Sequence, residues 1–150
     1  MGRKWDEERA VISITNRLLR TATALGRITA KVHKGEEGLT APEFTVLMAL
    51  GRSGRESLTS SHIVEMTAMD KTKVSRAVSS LDQRGWLTRT RAVSDRRFEH
   101  LALTGSGIAA FERLLPKIYQ AEDSVLNSLS AEERNGLERG LEALDRAIRP

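Results

Sequence analysis

The chain has 150 residues, 39% hydrophobic and 29% charged, with a net charge of +4; this is the composition of a soluble globular protein with one sizeable core. The absence of cysteine excludes a disulfide framework, a cysteine-ligated zinc or iron–sulfur site and thiol-based redox sensing by this chain. No apolar run approaches the length that crosses a bilayer, and the start lacks the apolar stretch of a secretory signal, so the cytoplasm is the expected compartment, with no membrane partner.

Val11, Ile14, Leu18, Leu25, Ile28 and Val32 fall on alternating steps of three and four, broken only at Thr21. They predict a long first helix with a coiled-coil-like seam that nothing local fills. The helix is expected to end in the loop Gly35-Glu36-Glu37-Gly38. Thr40-Ala41-Pro42-Glu43 is a capping box with proline in the first turn, opening a second helix through Phe44, Val46, Leu47 and Leu50 that Gly51 to Gly54 should close.

Leu58-Thr59 predicts a short edge strand or extended entry. Ser60 or Ser61 is expected to cap a helix burying Ile63, Val64 and Met66, followed by a turn at Thr67-Ala68-Met69. Asp70 should cap the next helix, where Val74, Ala77, Val78 and Leu81 form an inward stripe. The outward face then carries Thr72, Ser75, Arg76, Ser79 and Gln83, flanked by Lys71 and Lys73. Short hydroxyls allow close approach to a groove, and the cations suit phosphates.

Gly85 should stop that helix. Trp86–Arg91 and Phe98–Leu103 alternate as two strands around the tip Ala92-Val93-Ser94-Asp95-Arg96-Arg97. Thr104 should cap a helix running towards Leu129 with a kink at Pro116. Ser130-Ala131-Glu132-Glu133 is a second capping box, opening a last helix with Leu137, Leu141, Leu144 and Ile148 on one side. Three long amphipathic helices cannot all bury their stripes on so small a module, which predicts a dimer.

Charge is segregated along this chain. From Lys71 to Arg97 there are eight cations and two anions, Asp82 and Asp95, hence +6 out of a total of +4, and the remainder is −2. A basic stretch on a motif helix and a hairpin tip predicts contact with DNA. His62-x-x-Glu65 shares a helical face but has no third metal ligand in sight, and exposed polar residues are the simpler reading. Thr104-Gly105-Ser106-Gly107 lacks the lysine and spacing of a phosphate-binding loop and reads as a helix cap. No cofactor loop or convergent nucleophile, base and oxyanion donors point to an enzyme.

The segments Leu58-Thr59, Met69 to Leu81, Arg84-Gly85-Trp86-Leu87, Asp95-Arg96-Arg97 and Leu103-Thr104-x-x-Gly107, in this order, resemble the MarR family of bacterial transcription regulators. The resemblance covers nearly the whole chain. It implies a mostly α fold with a small β-hairpin wing: an N-terminal dimerisation helix over 1–38, a winged helix-turn-helix lobe over 39–103 and C-terminal dimerisation helices over 104–150. It further implies a homodimer on a pseudo-palindromic operator in double-stranded DNA, usually a repressor, released by a small phenolic or otherwise anionic effector.

Carried over by position, the wing motif sends Arg97 into the minor groove, with Asp95 bracing the loop and Arg96 meeting phosphate. Thr72, Lys73, Ser75 and Arg76 are expected in the major groove, where Arg76 suits a guanine edge. Lys71 flanks them, and Ser61 could hold a phosphate at its helix start. Thr67 and Ala68 depart from the leucine and glycine common in the family, which predicts a less tightly packed turn. The competing expectation is a winged-helix module that docks a protein instead of specific DNA.

Overall fold

A computed structural model describes residues 2–54, 56–91 and 98–149, and side chains in the first helix from residue 13 onward. The wing tip, with Asp95, Arg96 and Arg97, lies outside the described residues, as does the side chain of Val11. In chain order the elements are α1 (Gly2–Glu37), α2 (Ala41–Arg52), β1 (Leu58–Thr59), α3 (Ser60–Met66), α4 (Lys71–Gln83), β2 (Leu87–Arg91), β3 (Glu99–Leu103), α5 (Gly105–Leu126) and α6 (Ala131–Ile148). The strands form one antiparallel sheet in the order β1-β3-β2, with Leu58 opposite Leu101 and Leu87 opposite Leu103. This is the mostly helical winged fold that the sequence predicts.

The core lies where α2, α3, α4 and the sheet converge, built from Leu39, Val46, Leu47, Leu50, Ile63, Val74, Val78, Leu81, Leu87 and Leu101, with Leu114 added from α5. The predicted inward stripe of α4 is buried in full. Thr40 caps α2 in the predicted box: its hydroxyl accepts from the Glu43 amide, and the Glu43 carboxylate accepts from the Thr40 amide at 2.8 Å. The Ser130–Glu133 box at α6 closes in the same way, and hydrogen bonds from the Ser130 amide and hydroxyl hold the Glu133 carboxyl below its usual range.

Several expectations are corrected. Helix α1 continues through Gly35 to Glu37 and turns only at Gly38, because the amides of Gly38 and Leu39 bond back to the carbonyls of Lys34 and His33. Gly51 belongs to α2, and its missing side chain makes room for the Phe111 ring.

The cap of α3 is Thr59, not Ser60 or Ser61: its hydroxyl accepts from the His62 amide, and its own amide donates to the His62 ring. Met66 is 60% exposed, since Ile63 fills the core side of this short helix. The turn after it is closed by Thr67, whose hydroxyl donates to the Ile63 carbonyl at 2.7 Å. No non-glycine residue among those described has positive φ, so Ala68 meets no backbone demand for glycine. Helix α5 ends at Leu126 rather than Leu129, with Pro116 inside it.

Candidate nucleic-acid interface

Helix α4 starts where Asp70 accepts the Lys73 amide at 2.9 Å. That bond, with the nearby Lys73 ammonium, keeps the Asp70 carboxyl below its usual range. The carboxylate also lies 3.7 Å from Lys73 Nζ. With one side of the helix committed to the core, the other is forced outward: Lys71, Thr72, Lys73, Ser75 and Arg76 are all exposed. Five of the predicted contact residues therefore share the solvent side of one helix. Ser61 is exposed in the first turn of α3.

Two arginines from the basic stretch are engaged within the fold instead. Arg89 on β2 donates to the Ser79 hydroxyl at 2.9 Å and pairs with Asp82 at 2.9 Å and Glu99 at 3.4 Å. It thereby ties the first wing strand to α4. Arg84, the C-cap of α4, donates to the carbonyls of Glu37 and Gly38 at 2.9 and 3.0 Å and lies over the Trp86 ring at 5.3 Å. Arg91 stays 71% exposed on its side chain, 4.0 Å from Glu99. The counted excess of positive charge thus overstates what the surface offers to an anion.

Glu43 was legible in the sequence only as half of a capping box. In the fold its other oxygen accepts the Ser80 hydroxyl, and Arg84 lies 3.9 Å away, so one carboxylate locks α2 to the end of α4. Burial pushes its pKa up, but the hydrogen bonds from Ser80 and Thr40 and the Arg84 charge outweigh burial and hold it below the ordinary range. No local signal could have paired Glu43 with Ser80. A cation beside the terminating Gly85 was the available hint for Arg84, because the C-terminal ends of helices attract positive charge.

Glycine at 85 is required by the turn. Its φ is +73°, and the Trp86 amide bonds back to Leu81 at 3.0 Å while the Gly85 amide bonds to Asp82 at 2.9 Å, closing α4 in a Schellman motif. His62 is engaged in the α3 cap, and no group of His, Asp or Glu able to hold a metal occurs among the described residues.

A family model described as the MarR family matches residues 37–97, the span that contains α2, β1, α3, α4 and the first wing strand, β2. Over these residues the chain is similar to the MarR family. MarR family proteins are transcription regulators, not enzymes. The chain is similar to the HTH-type transcriptional regulator PecS of Dickeya dadantii, 28% identical over 140 residues, which cover 89% of this chain and 84% of PecS. Among solved structures it is similar to Sco3205, a MarR family regulator from Streptomyces coelicolor in complex with DNA, with a TM-score of 0.81, 22% identity and coverage of 91% of this chain and 86% of that one. It is also similar to BpsR of Bordetella bronchiseptica, whose DNA binding is regulated by 6-hydroxynicotinic acid, with a TM-score of 0.75, 23% identity and coverage of 88% and 92%. Helix α4, with its exposed face, lies within the matched span.

Proposed function

We propose that the chain acts as a homodimer that binds a pseudo-palindromic operator and represses transcription, and that a small phenolic or anionic molecule releases it. One observation carries the reading: Lys71, Thr72, Lys73, Ser75 and Arg76 line the exposed side of a helix whose opposite side is fixed in the core. In the major groove Thr72, Lys73, Ser75 and Arg76 meet bases and phosphates, with the Arg76 fork on a guanine edge and Lys71 on the backbone. Ser61 meets phosphate beside them. Arg97 enters the minor groove from the wing, Asp95 braces the loop and Arg96 touches phosphate.

The dimer reading is supported by α6, which buries no residue, and by the exposure of Leu137, Leu141 and Leu144 at 45%, 47% and 41% together with Ile14 and Leu18 of α1. Apolar stripes of this length are stable in water when a second copy covers them. Residues 1–38 and 104–150 then form the dimerisation arms and 39–103 the DNA-binding lobe. A dimer spanning two half-sites covers the duplex against other proteins, which is the physical basis of repression. Release needs only an effector that prefers a dimer whose two recognition helices no longer match half-sites roughly 34–36 Å apart. The action of 6-hydroxynicotinic acid on BpsR supports an anionic aromatic molecule in that role. No helix among the described residues is long and apolar enough to cross a membrane.

Selection of random duplexes on the purified protein tests the reading. A two-fold symmetric site is the expected product. Absence of any enriched duplex would reassign the face of α4 to a protein partner.

A further inference from the structure

The arms and the recognition helix meet at one side chain. Helix α1 lies along α5, fastened by Glu37 to Arg113 at 2.9 Å and by Glu36 to Lys117, while α4 packs on α2 and α3. Among the described residues, Arg84 is the side chain that bonds the end of α4 to the end of α1. Its two terminal nitrogens hold the successive carbonyls of Glu37 and Gly38, its plane lies over Trp86, and Glu43 of α2 faces it at 3.9 Å. The Schellman turn at Gly85 fixes the backbone from which it projects.

We propose that Arg84 is a positioning residue for operator recognition: it sets the angle of α4 relative to α1, and with it the separation of half-sites that the dimer accepts. This rests on the dimeric DNA-binding reading above. A planar fork on two adjacent carbonyls resists both translation and rotation, whereas a single point contact leaves rotation free. The fork also engages backbone atoms, so the joint stays in place whichever side chains surround it. In a dimer held through α1, a small rotation of α4 against α1 is doubled across the two-fold axis and appears as a change in the spacing between recognition helices.

Arg84→Lys keeps the cation at the end of α1, and so keeps its favourable interaction with the helix dipole, but cannot form the fork. The experiment takes the symmetric duplex recovered by selection and measures binding of the full-length protein to it and to versions with the spacer one base pair longer or shorter. The unsubstituted protein should prefer one spacing sharply. Arg84→Lys, and Arg84→Gln as a second variant with a planar neutral head, should lose about threefold or more of that preference while remaining folded dimers. A residue that merely stabilises the lobe would weaken all spacings by one factor. Equal loss on every spacing, or no loss on any, overturns the proposal. Failure of the unsubstituted protein to recover a symmetric site overturns the parent reading and this one with it, and is seen before any variant is made.

Discussion

Gly107 in the first turn of α5 lies so close to the backbone of Trp86 that a Cβ at 107 would overlap the Trp86 carbonyl. The same carbonyl accepts the Thr104 amide at 3.0 Å, and the Thr104 hydroxyl donates to Gly85 while accepting the Gly107 amide at 3.1 Å. The wing, the end of α4 and the start of α5 are therefore joined by backbone atoms, which cannot move aside for a methyl group. Gly107→Ala should cost about 1–3 kcal/mol of stability, read as a lowered urea midpoint at unchanged slope. An unchanged midpoint would mean that the contact is looser than its geometry.

His33 is 1% exposed, stacks on Phe44 with ring centroids 4.5 Å apart and shares a hydrogen bond between Nδ1 and the Leu39 carbonyl at 2.8 Å. That bond makes Nδ1 the donor. Burial pulls the pKa of His33 below 6.5, the Leu39 bond opposes this, and Lys34 adds to the lowering. A lowered pKa means that the unfolded chain binds more protons than the folded one between the two values. The stability from neutral His33 is complete above pH about 6.5 and declines as pH falls through that window. Thermal melts between pH 8 and 5 should show this decline in the unsubstituted protein and a shallower one in His33→Gln. Parallel curves would remove His33 from the acid response.

On the exposed face of α4 the two proposed kinds of contact separate in a salt titration. Lys73→Ala should reduce the slope of log affinity against log salt by about one, whereas Arg76→Ala should cost about 1–3 kcal/mol on the selected site and relax the preference at one base pair. Arg97→Ala should weaken the same complex and leave the dimer intact. A Lys73 variant with an unaltered slope would place that ammonium in solvent beside Asp70.

Leu141 is 47% exposed at the middle of a helix that buries nothing in its own chain. Placing a carboxylate there should not harm a lone subunit but should split a pair. Leu141→Glu should sediment as a monomer and bind the two-half-site duplex about tenfold or more weakly, because each lobe then pays its association cost separately. A variant that remains dimeric would move the interface off α6.

The arrangement of elements was legible because its signals are local. The capping boxes at Thr40 and Ser130, the buried stripe of α4 and the alternating wing strands each depend on neighbours within about one turn or one pleat. Errors gathered where a local signal had near equivalents. Three hydroxyl residues in a row, Thr59, Ser60 and Ser61, could each cap α3, and the choice fell to Thr59 because His62 stands three positions on and completes a box. Gly35 offered an earlier end for α1, but Gly38 terminates it with the positive φ and back-bonds that the loop uses.

The sequence by itself determined which side of α4 faces water, since hydrophobic period alone sorts Val74, Ala77, Val78 and Leu81 from Thr72, Ser75 and Arg76. Tertiary structure alone decided which cations remain available to a ligand. Arg84 and Arg89 look like Lys71 and Arg76 in a charge count, yet their partners Glu37, Gly38, Asp82 and Glu99 stand up to 47 positions away or across a strand pair, and such pairings exist only once the chain has folded. Charge is a property of the residue, whereas its freedom to meet a phosphate is a property of its neighbours.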